Sequence, residues 1–362
     1  MFSFLKQKSS FLSSVLTLGI GTSIAQVISI AVSPILTRLY SPEDFGVYAF
    51  YMSMVSVLAV IATGRYELAI ALPKRREEGF QLATLVISLS VIFSSVLFIV
   101  LYLFKRQLAH FLGDVTLESY IFILMPLSVL CIGISLGLMN LGYREHQYAF
   151  ITFIRIAQNS LTALVSCLFG WLSSGILGLL LGLLFGQILS AVLFLKRMWF
   201  GKDTVYFRSM FEGAKAYKNF LLYSMPMGVL NTLSFNLLQY GLLLFFNSTL
   251  LGYYYFAQRL LSLPLDIIMS SFSPVFYQEL GTTVDKLKLL IKSFTIHVFI
   301  GIVWVVPFMY VGEDIFGYIF GSQWRQAGEM ALFIAPFIVM NFAGGSISVV
   351  FPYFQKNDIL LY

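Results

Sequence analysis

Residues 47–79 read VYAFYMSMVSVLAVIATGRYELAIALPKRREEG. From Val47 to Leu72 this is one apolar run, long enough to cross a hydrocarbon core of about 30 Å at roughly 1.5 Å per residue. Yet it contains Arg65 and Glu67, and it closes on Lys74, Arg75 and Arg76. A charged side chain at the bilayer centre costs about 2.5–3.5 kcal/mol on insertion scales. Two such residues inside a span therefore mark either a special backbone or a protein-lined site.

Nine further runs have the same character: Phe11–Leu36, Leu82–Phe104, Tyr120–Leu141, Ala149–Trp171, Gly175–Leu195, Phe220–Phe246, Leu250–Phe276, Leu289–Tyr310 and Met330–Phe354. The chain is 59% hydrophobic and 11% charged, where a soluble domain carries about a quarter charged residues. The expected fold is all-α, a polytopic protein with ten transmembrane helices. Lys6 and Lys8 precede an apolar stretch too long for the roughly 7–15-residue core of a signal peptide, so it reads as the first span.

The net charge of +6 is a matter of placement. With the N-terminus in the cytoplasm, 16 Lys and Arg fall in inside segments and four, Arg38, Lys105, Arg106 and Arg325, in outside ones. That is the positive-inside pattern, and no nucleic-acid partner is implied. Cys131 and Cys167 lie within spans and read as small hydrophobes. His110, His146 and His297 are scattered, and His297 reads as a packed histidine. No metal spacing, phosphate loop or nucleophile with an adjacent base occurs, so neither an enzyme nor a bound cofactor is expected.

An internal repeat organises the chain. SPEDFGVYAFYMS after the first run matches STLLGYYYFAQRL after the seventh, with Gly46 and Gly252 separated by 206 residues. The same shift carries the third run onto the ninth and the fourth onto the tenth. Two six-helix halves of like orientation form a parallel repeat about the membrane normal. The expected division is an N-terminal lobe at 1–198, a cytoplasmic linker at 199–219 that lies along the headgroups, and a C-terminal lobe at 220–362. On this reading the last two helices of the second half fall beyond Tyr362, and the chain is a piece of a twelve-helix, two-lobe transporter.

Polar residues recur at helical spacing within the spans. Arg155, Gln158, Asn159 and Thr162 form one stripe. Thr22, Gln26, Ser29 and Ser33 form a second, Thr232, Asn236 and Gln239 a third, and Tyr255, Arg259, Ser262 and Asp266 a fourth. Such stripes serve either a shared lumen or hydrogen bonds between helices. Asp266 reads equally as an ion or proton carrier and as a counter-ion to arginine. Pro264 is expected to kink the eighth span. Arg65 and Glu67, two apart, face apart on a regular helix. Either Gly64 loosens that helix or each residue has a partner elsewhere.

LTRLYSPEDFGVYAFYMS at 36–53, GRYELAIALPKRREEG at 64–79 and LLGYYYFAQRLLSLPLDIIMSSFSPVFYQEL at 250–280 resemble the lobe starts of bacterial polysaccharide-unit flippases, the Wzx-type O-antigen translocases. Their superfamily also holds multidrug–cation antiporters. The resemblance implies an inner-membrane flippase that moves undecaprenyl-pyrophosphate-linked oligosaccharides from the cytoplasmic to the periplasmic leaflet by alternating access. These are units of O-antigen, as in lipopolysaccharide, or of another surface polysaccharide. It further implies coupling to a proton or sodium gradient, membrane lipids and other polysaccharide-assembly proteins as partners, and cationic cavity residues. Arg155 and Arg259 are then the candidates for the anionic headgroup, with Arg65 and Glu67 at the inner mouth. Gln158, Asn159, Asn236, Gln239 and Asp266 complete the expected cavity. An antiporter of the same superfamily is the alternative reading, and a membrane polymerase the more distant one.

Overall fold

The computed structural model describes residues 2–111, 121–199, 207–282 and 285–348. Residues 200–206 of the expected linker and 349–354 of the tenth run lie outside these, as does the side chain of Thr22. The described residues form α-helices joined by short turns: α1 (Phe2–Leu39), α2 (Pro42–Thr63), α3 (Arg76–Phe111), α4 (Ile121–Arg144), α5 (Tyr148–Trp171), α6 (Ile176–Phe194), α7 (Phe207–Ala216), α8 (Met225–Phe245), α9 (Ser248–Thr282), α10 (Lys286–Phe320) and α11 (Arg325–Ile347). Among the described residues, eight helical stretches are long and apolar enough to cross a membrane, and α1 and α9 occupy the other two expected spans.

Local chemistry accounts for the helix boundaries. Pro42 opens α2, where its missing N–H is no loss, and Glu43 and Asp44 occupy the first turn, favoured by the helix dipole. Asp285 caps α10 by accepting from the Lys288 amide at 3.0 Å. Before α9, the Asn247 side chain accepts from the Leu250 amide at 2.8 Å.

The repeat is visible in these bounds. The ends of α1 and α8, Leu39 and Phe245, lie 206 residues apart, and so do the starts of α2 and α9, Pro42 and Ser248. The two halves then diverge. α9 runs 35 residues without a break, whereas α2 stops after 22, at Thr63. By itself α2 is about 33 Å long at 1.5 Å per residue, enough to span the bilayer. Arg65 and Glu67, expected inside the second span, therefore lie just past its end.

Two compact units divide the chain, residues 1–42 with 252–362, and residues 43–251. The first helix thus groups with the later part of the sequence and α8 with the earlier part, a division different from consecutive lobes at 1–198 and 220–362.

In the first unit α10 and α11 pack along one another. Gly301 of α10 receives Val339 and Phe342 of α11 in close contact. Trp324 is fully buried in the short turn Ser322–Trp324. The indole meets Phe256 at 4.6 Å between ring centres and donates from Nε1 to the Thr37 carbonyl at 2.9 Å. Gln323 donates to the same carbonyl at 2.7 Å, so the end of α1 is tied to this turn. Trp304 donates to the Leu261 carbonyl at 3.0 Å, one turn before Pro264. His297 is buried against Phe272 and Phe342 and bonds through Nδ1 to the Ser293 carbonyl at 2.7 Å, in keeping with a packed histidine.

In the second unit α3 packs on α4, α4 on α6, and α5 on α6. Gly182 and Gly186 of α6 meet Ser166 and Thr162 of α5 so closely that no Cβ fits at either glycine. This is the close approach that small residues four apart allow between membrane helices.

Candidate functional site

Gly64 and Arg65 end α2. Both adopt left-handed backbone conformations, with φ of 57° and 61°. Glycine does so freely, but an arginine there costs about 1–2 kcal/mol, so its surroundings must hold it. The chain then forms a 3-10 turn over Tyr66–Ala71. The change of direction answers the question posed by two charges two residues apart. Off the regular helix they do meet, Arg65 Nη1 standing 3.7 Å from Glu67 Oε1.

Three groups fix this turn within the second unit. Arg144, the last residue of α4, donates to the carbonyls of Ile70 and Pro73 at 2.6 Å each and of Arg75 at 2.7 Å. Gly79 lies so close that a methyl there would sit 2.8 Å from Arg144 Nη1. Tyr66 donates through its hydroxyl to the Ala214 carbonyl of α7 at 3.0 Å. Leu221, in the π-helical stretch that leads into α8, packs beside Gly64. Next to the turn, Arg76 pairs with Glu145 at 2.9 Å.

The Arg65–Glu67 pair is unequal. The Glu67 side chain is 5% exposed and that of Arg65 26%. Glu67 Oε2 and Arg65 Nε are buried without hydrogen-bond partners. At 3.7 Å the two charges attract but do not hydrogen-bond. The guanidinium lies over the backbone of Gly228 on α8, where a methyl group would meet Nε. The arginine therefore holds its charge beside a carboxylate with donor capacity unspent, and such a fork matches paired phosphate oxygens.

Other expected residues fall into two groups. Arg155 donates to the Tyr143 hydroxyl of α4 at 2.8 Å, and Asn159 returns its amide to the Arg155 carbonyl at 2.9 Å. Gln158 and Thr162, of the same stripe, pack on Gly186 of α6. That part of the α5 stripe serves helix–helix packing. Asn236 approaches Ser56 of α2 at 3.5 Å and returns a bond to the Thr232 carbonyl at 2.8 Å. Gln239, near the end of α8, is half-buried. Arg155, Gln158, Asn159, Asn236 and Gln239 belong to the second unit, as do Arg65 and Glu67. Arg259 and Asp266 belong to the first, both half-buried on α9 and about two turns apart, on either side of Pro264.

Sequence reasoning passed over Arg144, Tyr66 and Gly228. Arg144 carried only its position after the fourth run, and nothing local told it from a topology-setting cation.

The architecture is that of a polytopic, all-α membrane protein. The chain is similar in fold to an inward-facing multidrug resistance MATE family transporter of the MOP superfamily, with TM-score 0.65 and 15% identity over 95% of this chain and 86% of that one. An outward-facing structure of such a transporter gives TM-score 0.64 and 14% identity over 96% and 84%. The eukaryotic MATE transporter AtDTX14 gives 0.63 and 14% over 99% and 85%. At these identities the likeness is one of fold. Residues 35–329 match the family described as polysaccharide biosynthesis protein, and the chain belongs to that family. No curated protein matches it closely enough in sequence to count as a relative.

Proposed function

We propose that this protein is a flippase that carries undecaprenyl-pyrophosphate-linked oligosaccharide units from the cytoplasmic to the periplasmic leaflet of a bacterial inner membrane. Family membership supplies the polysaccharide context and the fold supplies a transporter architecture. The observation that carries the reading is the Arg65 turn. It breaks the repeat, costs backbone strain and presents an arginine whose counter-ion is held beyond hydrogen-bond distance. Such an arginine can exchange a carboxylate for a diphosphate at small electrostatic cost, since one anion replaces another. Arg155 and Arg259 are further cations of the translocation path in this reading, Asp266 a candidate for coupling to a proton or sodium gradient, and other polysaccharide-assembly membrane proteins the partners.

The test follows the lipid itself. In cells that make the lipid-linked oligosaccharide and hold no second flippase, the fraction reached by a periplasmic probe is measured with the gene present, deleted, and replaced by Arg65→Ala, Arg155→Ala or Arg259→Ala. Loss of exposure on deletion and in Arg65→Ala, at unchanged protein level, is the expected result. Full exposure after deletion sinks the flippase reading. A small-molecule antiporter then takes its place, a reading favoured by the fold shared with multidrug resistance transporters. Altered drug resistance in the same deletion strain would mark that outcome.

A further inference from the structure

We propose that Gly228 is the seat of the Arg65 guanidinium and that α8, through this one glycine, sets how far Arg65 can reach. A methyl group at Gly228 would meet Nε and would lie 2.7 Å from Nη2 and 2.9 Å from Cζ, so the three atoms nearest to it all belong to Arg65. The guanidinium thus rests on bare helix backbone. Its Nε is buried without a hydrogen-bond partner, and Glu67 stands 3.7 Å away. Shape, more than hydrogen bonding, keeps Arg65 where it is.

Gly228 is not an ordinary packing glycine of α8. Gly241 on the same helix has nothing within 4 Å of where its Cβ would be. Gly228 opens a face that continues through Thr232 and Asn236 to Tyr240, at four-residue spacing. That face meets Ser56 through Asn236 and Phe50 through Tyr240. The stretch just before α8 is π-helical over Phe220–Ser224 and touches Gly64 through Leu221. The π-helical stretch and α8 together therefore contact the two residues with positive φ, Gly64 and Arg65. A shift of α8 along this face would take away the floor under the guanidinium and free its donors, while Glu67, held in the turn, keeps its place. The functional consequence, release of Arg65 toward a phosphate, rests on the flippase reading. The seat does not.

Site-specific arginine modification tests the two separately. Purified full-length protein is treated with phenylglyoxal, and the rate at Arg65 is read by mass spectrometry with Arg325 as an exposed internal reference. Gly228→Ala is expected to raise the Arg65 rate severalfold while the Arg325 rate stays constant. Gly241→Ala is expected to leave both unchanged. Alanine is favoured over glycine inside a helix, so any gain in reactivity does not come from a weaker helix. Equal Arg65 rates in wild type and Gly228→Ala, or equal acceleration by both substitutions, would overturn the proposal. If Gly228→Ala is not recovered from membranes, Arg65→Ala/Gly228→Ala should be, because the clashing atoms are gone. Loss of both variants would also overturn it. Inorganic pyrophosphate is then added to the wild type. Protection of Arg65 supports its role toward phosphate, whereas no protection alongside a fast Gly228→Ala leaves the seat standing and removes the phosphate reading.

Discussion

Arg144 Nη1 donates to the carbonyl oxygen of Ile70 at 2.6 Å across a separation of 74 residues. The end of α4 thereby holds the turn on which Glu67 sits, and the same guanidinium reaches Pro73 and Arg75. Three carbonyls on one planar fork is an arrangement that a lysine ammonium cannot reproduce.

Arg144→Lys is therefore expected to destabilise the second unit, although it keeps the charge. Hydrogen bonds to a charged group contribute about 1.5–3 kcal/mol each, and a lysine retains part of them, so a net loss of about 1–3 kcal/mol is expected. A lowered unfolding temperature in detergent reads it. An unchanged midpoint would show that the turn stands without its clamp.

Arg65 and Glu67 should respond unequally to truncation. Arg65→Ala strands a nearly buried carboxylate, while Glu67→Ala leaves a cation that is a quarter exposed and can hydrate. Breaking a buried pair costs about 3–5 kcal/mol. The exposure of Arg65 and the long contact reduce this to about 1–3 kcal/mol for Arg65→Ala. Glu67→Ala should cost less, and the double variant should recover part of the Arg65→Ala loss. A double-mutant cycle on chemical unfolding measures it, and additive losses would contradict coupling.

Trp324 offers the cleanest stability test in the first unit. Trp324→Phe keeps much of the ring packing and deletes the bond to the Thr37 carbonyl, at about 1 kcal/mol. Trp324→Ala removes the ring from between Phe256 and Tyr253 and should cost about 3–5 kcal/mol. Thermal melts that rank the two variants equally would mean that the indole does not hold this turn.

Gly182→Ala should destabilise the α5–α6 pair by about 1–3 kcal/mol through overpacking. The added methyl meets Ser166 Oγ and lies 2.9 Å from the backbone oxygen of Thr162, which cannot step aside. Gly344→Ala, with nothing within 4 Å of the new carbon, should be neutral or slightly stabilising. Comparing the two in one unfolding assay separates packing from helix propensity.

The all-helical, many-span architecture is readable in the sequence, because transfer free energy adds up along consecutive residues. A run such as Leu82–Phe104 or Gly175–Leu195 carries its burial signal within itself. The 206-residue repeat was readable for a related reason, since Gly46 and Gly252 sit in locally similar helix starts. The Val47–Leu72 run misled in one respect. The apolar run resumes beyond Arg65 and Glu67 at Leu68–Leu72, but the helix does not continue, because hydropathy says nothing about the sign of φ.

Tertiary structure alone decided what each polar residue does. Arg155, Gln158, Asn159 and Thr162 look alike as a stripe, yet α4 takes the arginine's bond while a glycine column on α6 takes Gln158 and Thr162. Arg144 looked like one more inside cation until it met carbonyls 69 to 74 residues away. Gly228 had no mark of its own, and its meaning comes from the guanidinium above it. Composition and periodicity determined which segments leave water, since that depends on the side chains of the segment itself. Which helix a buried charge then leans on depends on groups distant in sequence, and no window along the chain contains both.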